Sequence, residues 1–129
     1  MTDALRNILS KVPVVPVLTV HGADDALPLA RALVVGGLTV LEVTLRTEGA
    51  LKAIEAIARD VPEAIIGAGT VLVSSQIGEA ISAGAGFIVS PGSTVKLAEA
   101  ALGRNIPFLP GVATASEAMV MAEIGRAHV

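Results

Sequence analysis

Glu42 and Arg46 are the two residues whose types and spacing suggest chemistry most directly. They lie in residues 39–46, where apolar and polar side chains alternate. Successive side chains of a strand point to opposite faces, so Glu42, Thr44 and Arg46 share one face. A carboxylate can transfer protons once burial adjusts its pKa, and an arginine can bind a carboxylate through two parallel hydrogen bonds. A structural ion pair between Glu42 and Arg46 explains the spacing equally well.

Polar and turn-forming residues also end the next three predicted strands. The first group, Gly67-Ala68-Gly69-Thr70, could bring backbone N–H groups close to an anion. A tight turn followed by Thr70 as a rim hydroxyl is the favoured interpretation of that group. The others, Ser90-Pro91-Gly92 and the stretch 110–114, contain ordinary turn dipeptides. None of these stretches matches a P-loop or a dinucleotide-binding fingerprint.

Neither histidine has a second histidine or a cysteine at metal-ligand spacing. His21 and His128 stand alone, and the chain contains no cysteine. We therefore expect no metal site and no cofactor.

The elements that would position these residues alternate along the chain between short β-branched runs and longer helical patterns. The predicted strands are residues 12–20, 39–44, 64–68, 86–90 and 107–111. The predicted helices are residues 3–10, 24–35, 48–59, 75–83, 94–102 and 115–123. Helix ends are expected at Gly36-Gly37, Pro62, Gly84 and Gly103, and N-caps at Ser74, Ser93 and Thr114.

Strict βα alternation predicts an α/β fold with a parallel sheet. Two architectures remain: a complete flavodoxin-like doubly wound sheet, or about the first five units of a (β/α)8 TIM barrel. In the doubly wound sheet Glu42 and Arg46 would point under a helix, which is costly for charges. In a barrel the same face opens to solvent at the C-terminal end. The second strand therefore favours the barrel.

The composition limits the classes of partner. The 129 residues are 53% hydrophobic with a formal net charge of −3, so nothing favours nucleic acid or an anionic membrane as partner. No apolar run approaches the roughly 20 residues of a membrane span, and residues 1–11 lack the apolar core of a secretory signal. We expect a cytoplasmic domain.

The sequence resembles the 2-keto-3-deoxy-6-phosphogluconate aldolase family over about residues 8–123. The most specific shared motif is Leu41-Glu42-Val43-Thr44-Leu45-Arg46-Thr47. The others are Val14-Val15-Pro16-Val17, Gly67-Ala68-Gly69-Thr70-Val71-Leu72, Ser90-Pro91-Gly92 and Pro107-Phe108-Leu109-Pro110-Gly111-Val112.

The resemblance implies a class I aldolase of the Entner-Doudoroff pathway, working as a homotrimer without a metal. In this family a lysine forms a Schiff base with a 2-keto acid, and cleavage yields pyruvate and glyceraldehyde 3-phosphate. Some members also cleave 4-hydroxy-2-oxoglutarate. By the resemblance Glu42 is the general acid/base, Arg46 and Thr70 hold the pyruvate carboxylate, and Pro91 lines the same site.

The sequence departs from the family pattern at the nucleophile. The Schiff-base lysine of the family lies on strand six, whereas the lysines here are Lys11, Lys52 and Lys96. We therefore expect a partial barrel domain over residues 1–123 that is inactive alone. Residues 124–129 match a back-translated sequencing adapter and are expected to be a non-native tail.

Two other functions are alternatives to the aldolase. A flavodoxin-like binding or signalling module would need an aspartate ending strand three and a lysine ending strand five, or an aromatic for a flavin. Thr70 and Pro110-Gly111 stand at those places, and the chain has no Trp or Tyr. A barrel-derived interaction protein without catalysis stays open.

Overall fold

Over residues 3–127 the chain folds into one five-stranded parallel sheet with six helices. The structure, a computed structural model, describes residues 3–127. The strands are β1 (Val17–Leu18), β2 (Val40–Thr44), β3 (Ile65–Gly69), β4 (Phe87–Ser90) and β5 (Phe108–Pro110). The helices are α1 (Asp3–Leu9), α2 (Ala23–Val35), α3 (Ala50–Asp60), α4 (Ser74–Ala83), α5 (Val95–Gly103) and α6 (Ala115–Ala127).

The order of the strands decides between the two predicted architectures. The sheet runs β1-β2-β3-β4-β5, and every neighbouring pair is parallel. A flavodoxin-like sheet needs a strand order that reverses at a switch point. Sequential order is that of a barrel wall, in which each helix from α2 onward packs beside the next along one face. The barrel prediction is confirmed and the flavodoxin-like alternative is wrong.

The two faces of the sheet carry different apolar cores. The outer face packs against α2–α5 through a large cluster that includes Leu41, Val43 and Ile88. The inner, concave face carries a smaller cluster in which Val40 and Phe87 contact α1. Since α1 lies at the N-terminal end of the strands, the concave face is closed at that end. At the C-terminal ends of the strands, this face carries polar side chains.

β1 is shorter than predicted. The β-branched run predicts a strand over residues 12–20, but only Val17–Leu18 pairs with β2. Pro13 and Pro16 have no N–H to donate, which limits regular pairing before Val17. The carbonyl of Pro16 still accepts a hydrogen bond from the N–H of Glu42, at 2.9 Å. β1 is therefore a short edge strand, and its paired residues lie in the second half of the predicted strand.

The ends of the helices correct several predicted caps. Gly36-Gly37 and Gly84 end α2 and α4, with left-handed backbone at Gly37 and Gly84, as predicted. Gly103 is instead the last residue of α5.

Two of the predicted N-caps are wrong by one residue. Val73, not Ser74, caps α4, and Thr94, not Ser93, caps α5. The N–H of Leu97 donates to the Thr94 hydroxyl at 3.1 Å.

α6 begins at its predicted position and extends beyond its predicted end. Thr114 accepts a hydrogen bond from the N–H of Glu117, whose carboxylate accepts from the N–H groups of Ala113 and Thr114. This reciprocal capping fixes the start of the helix. The helix continues to Ala127, and His128 and Val129 lie outside the described residues. That residues 124–129 are foreign stays a prediction.

The two edge strands predict poor solution behaviour for the isolated 129-residue chain. β1 and β5 each have one strand neighbour, and the side chains of Val17 and Met119 are 57% and 70% exposed. Unpaired edges and exposed apolar side chains favour association. We expect the isolated chain to be marginally stable or to self-associate, as measured by sedimentation velocity together with thermal unfolding. A sharp, reversible unfolding transition of a monomer would contradict this expectation.

Candidate active site

The predicted site residues lie along the C-terminal ends of three neighbouring strands. Glu42 is on β2, Arg46 follows β2, Thr70 follows β3 and Pro91 follows β4. β2 and β3 pair in register from Val40–Ile65 to Thr44–Gly69, so these strands end together. The parallel sheet thus brings the four residues to one edge. Among the described residues, no hydrogen bond joins the side chains of these four to one another.

The carboxyl group of Glu42 lies against the backbone of Gly69. The backbone of Glu42 is in register with Gly67, and its side chain extends toward the strand end as far as Gly69. A Cβ placed on Gly69 would overlap Oε1 of Glu42 and would lie 2.7 Å from its Cδ. The missing side chain of Gly69 therefore leaves the space that the carboxyl group occupies.

Gly67 gives room to a different side chain on the same face. A Cβ at Gly67 would overlap the ring of Phe87 and lie 2.6 Å from its Cδ2 atom. Gly67 and Gly69 both belong to β3, so neither the anion-binding loop nor the tight turn predicted from the sequence describes them. Glycine within a strand permits close approach of another group. That rule could have identified both positions.

Thr70 adopts an unusual backbone conformation directly after β3. Its φ angle is 58°, in the left-handed region that β-branched residues rarely occupy. On either side of it, the Gly69 carbonyl accepts from the N–H of Leu45 at 2.8 Å, and the N–H of Val71 donates to the Val89 carbonyl at 3.2 Å. These bonds to β2 and β4 hold Thr70 in its strained conformation. Such strain is concentrated at functional sites.

The electrostatics of Glu42 differ from those of a surface carboxylate. Glu42 is half-buried, and burial raises its pKa above the ordinary value of 4.5, while the positive charge of Arg46 acts in the opposite direction. Arg46 is exposed. Within residues 3–127, Glu42 and Arg46 do not form a salt bridge. The structural ion pair considered from the sequence is therefore wrong, and the guanidinium is accessible at the rim.

Thr44 lies on the same strand between the two charged residues and is fully buried. Its hydroxyl donates to the carbonyl of Leu18 on β1 at 3.0 Å and lies 3.4 Å from the Thr19 hydroxyl. Thr47 similarly donates to the carbonyl of Val20. These bonds fasten the segment after β1 to the segment after β2. The sequence placed Thr44 on the polar face but did not show this function.

The segment after β4 is packed closely against the one after β5. A Cβ on Gly111 would overlap the carbonyl oxygen of Pro91 and lie 2.7 Å from that of Ser90. The N–H of Gly111 also donates to the Ser90 carbonyl at 2.9 Å. Pro91 itself is exposed at the same edge as Thr70. The two Pro-Gly turns thus fix each other's position.

The three lysines lie away from Glu42. Lys52 is on α3 and Lys96 is on α5, in the outer layer of helices, and both are exposed. Lys11 is exposed in the turn that follows α1. Within the described part of the chain, no group of three His, Asp or Glu side chains is placed to hold a metal ion. No helix within residues 3–127 is long and apolar enough to cross a membrane.

Sequential parallel strands with polar side chains gathered at their C-terminal ends match the first part of a TIM barrel. The chain belongs to the KDPG and KHG aldolase family, whose model matches residues 5–129. It is 54% identical over 120 residues to the KHG/KDPG aldolase of Escherichia coli K12, covering 93% of this chain and 56% of that protein. It spans a little over half the length of the curated relatives it matches.

Two solved structures have the same fold over this part of their chains. The 2-keto-3-deoxy-6-phosphogluconate aldolase of Zymomonas mobilis ZM4, solved with 3-phosphoglycerate, superposes with a TM-score of 0.90 at 45% identity, covering 94% of this chain and 57% of that one. The aldolase of Legionella pneumophila, with pyruvate captured as a covalent carbinolamine, also gives 0.90, at 44% identity and 96% and 60% coverage.

The raised pKa of Glu42 predicts a pH-dependent effect on stability. Its folded-state pKa lies above the unfolded value, so the stabilising contribution is present below the unfolded pKa and is lost as pH rises through the folded pKa. In a chimera whose aligned E. coli segment is replaced by this chain, Glu42→Gln should therefore raise the urea midpoint at about pH 7 but not at about pH 4. Glu48→Gln, which removes an exposed carboxylate from the segment between β2 and α3, controls for charge. An equal shift at both pH values would contradict the expectation.

Proposed function

We propose that this chain forms the acid/base and carboxylate-binding half of a class I aldolase. The substrate is 2-dehydro-3-deoxy-6-phosphogluconate, which is cleaved to pyruvate and glyceraldehyde 3-phosphate. The observation that carries the proposal is the half-buried carboxyl of Glu42, seated against Gly69 with the unpaired, exposed Arg46 beyond it. The name of the E. coli relative supports 4-hydroxy-2-oxoglutarate as a second substrate.

The chemistry needs a proton carrier beside the reacting carbons. A lysine amine adds to the C2 carbonyl of the substrate and water leaves, which gives a protonated imine. Cleavage of the C3–C4 bond moves its electron pair into the imine, and the C4 hydroxyl loses its proton as the aldehyde forms. Glu42 accepts that proton, directly or through one water, and later returns a proton to C3 of the enamine. Hydrolysis of the resulting imine releases pyruvate.

The raised pKa suits Glu42 to this double function. A group that both takes and gives a proton works best when its pKa approaches the working pH. Burial moves the pKa of Glu42 in that direction, while exposure of the rim lets a water reach it. Partial burial therefore supplies the required acid/base behaviour without a further charged group.

Arg46, Thr70 and Pro91 are assigned to binding of the keto acid. A guanidinium matches a carboxylate through two parallel hydrogen bonds, and Arg46 has no competing acidic partner in a salt bridge within residues 3–127. Thr70 adds a hydroxyl next to the backbone against which Glu42 lies. Pro91 lines the adjacent strand end. The homotrimer, the cytoplasmic location and the Entner-Doudoroff pathway stay predictions of the resemblance.

Substitution in the chimera tests the two charged residues separately. Glu42→Gln should lower kcat for aldol cleavage by about 100-fold or more, since general acid/base catalysis contributes about that much. Arg46→Lys should raise KM by about 10-fold or more, because a charge-assisted hydrogen bond contributes about 1.5–3 kcal/mol. Steady-state kinetics with a coupled assay for the aldehyde measures both.

Two variants distant from the C-terminal ends of the strands serve as matched controls. Glu99→Gln removes an exposed carboxylate from α5, and Arg104→Lys alters an exposed arginine packed near Gly78 of α4. Both should keep parental kcat and KM. Parental activity in Glu42→Gln would overturn the proposed function.

A trapping experiment tests the assignment of the amine. Because Lys11, Lys52 and Lys96 are exposed and away from Glu42, borohydride and pyruvate should leave no covalent adduct on the isolated chain. The chimera, in which the E. coli part supplies the family's lysine, should gain one reduced pyruvyl group by intact mass. An adduct on Lys52 or Lys96 of the isolated chain would show that an amine of this chain reaches the keto acid.

A further inference from the structure

Gly69 on the adjacent strand carries no side chain, and a Cβ built on it would overlap the Glu42 carboxyl group. We propose that Gly69 is a positioning residue for the aldol reaction: the space above its Cα fixes where the Glu42 carboxyl lies. This inference rests on the proposed function of Glu42. It assigns Gly69 a specific contribution to proton transfer beyond its place in the sheet.

Any side chain at position 69 would displace the Glu42 carboxyl group from its present position. A methyl group at Gly69 would overlap Oε1 and would lie 2.7 Å from Cδ and 2.8 Å from Cγ of Glu42. Real Cβ atoms essentially never approach another heavy atom below 3.0 Å. Three consecutive atoms of one side chain are involved, so a small rotation of the carboxyl alone cannot relieve the overlap. The whole end of the side chain must leave β3.

The strand on either side of Gly69 cannot move away to make room. The carbonyl of Gly69 accepts from Leu45 on one side, and the next residue but one, Val71, donates to Val89 on the other. Thr44 is the register partner of Gly69 and is itself bonded to Leu18. β3 is therefore held between two neighbours. A methyl group at position 69 would therefore displace Glu42, whose side chain can move toward solvent.

Gly67 provides an internal comparison on the same strand and the same face. Its added Cβ would meet the ring of Phe87, a fully buried apolar side chain. The same substitution two residues apart thus disturbs the apolar core in one case and the carboxyl in the other. Gly67→Ala is expected to lower stability by overpacking, without moving Glu42.

The test uses Gly69→Ala in the chimera. Displacing a catalytic group by about 1 Å costs about 100-fold, so kcat should fall by about that factor while KM stays unchanged. Loss of burial should also move the acidic limb of the kcat–pH profile to lower pH, since desolvation is what raises the pKa of Glu42. Gly67→Ala should keep the parental kcat and pH profile despite a lower urea midpoint. A parental kcat in Gly69→Ala would overturn the inference.

A double substitution separates the contact from general damage to β3. Glu42→Asp shortens the side chain by one methylene and removes Oε1 and Cδ, the two atoms that would lie closest to a methyl group at position 69. Glu42→Asp/Gly69→Ala should therefore be about as active as Glu42→Asp alone, the non-additive result expected for groups in contact. Additive losses would contradict the inference. If the single Gly69→Ala chimera does not fold, a folded double variant supports the contact and an unfolded one contradicts it.

The outcomes distinguish this inference from the proposed function. If Glu42→Gln keeps full activity, the proposed function fails and Gly69 has no catalytic group to position. If Glu42→Gln is impaired but Gly69→Ala is not, the proposed function stands and the positioning by Gly69 is wrong.

Discussion

The parallel register of β2 and β3 is the constraint on which the rest of the site depends. Five consecutive pairs, from Val40–Ile65 to Thr44–Gly69, fix the two strands against each other. A shift of one residue would exchange the faces of β3 and place Ala68, not Gly69, toward Glu42. The carboxyl would then lose its space, and the apolar residues that pack under α3 would lose theirs. Fold and site are therefore specified by the same set of backbone hydrogen bonds.

The site requires two opposing conditions at Glu42, burial and access to water. Burial raises the pKa of Glu42, and the open C-terminal edge of the sheet provides access. Burial of an ionised carboxylate is unfavourable, so the arrangement lowers stability at neutral pH. The strained backbone of Thr70 adds a second local cost. Both costs lie at the strand ends, whereas the outer core under α2–α5 is apolar and buried.

The sequence predicted the order and type of all the described elements because periodicity reflects which faces are buried. It predicted the barrel from one strand, since Glu42 and Arg46 on a shared face are incompatible with helices on both sides. The prediction failed at the boundaries of helices and strands that hydrogen bonding, rather than burial, determines. Pro13 and Pro16 shorten β1, and Val73 caps α4 through the side chain of Gln76.

The shared position of the predicted site residues at the strand ends followed from the sequence, whereas their contacts did not. The four residues assigned from the resemblance do lie at one edge, while the sequence left an ion pair between Glu42 and Arg46 equally open. Gly67 and Gly69 were interpreted as part of a turn or an anion-binding stretch at the end of the predicted strand, because glycines near a strand end usually form turns. Their actual neighbours, Phe87 and Glu42, come from two other strands. Such contacts depend on the register, which a single sequence does not display.

The most direct test of the account is solvent exchange at the methyl group of pyruvate, followed by proton NMR in heavy water with the chimera. Exchange requires the enamine, and therefore a base at C3, but no aldehyde and no phosphate. If Glu42 transfers the proton, Glu42→Gln should lose exchange by about 100-fold or more while borohydride still traps pyruvate on the enzyme. Exchange at the parental rate in Glu42→Gln would contradict the account, because another group would then move the proton.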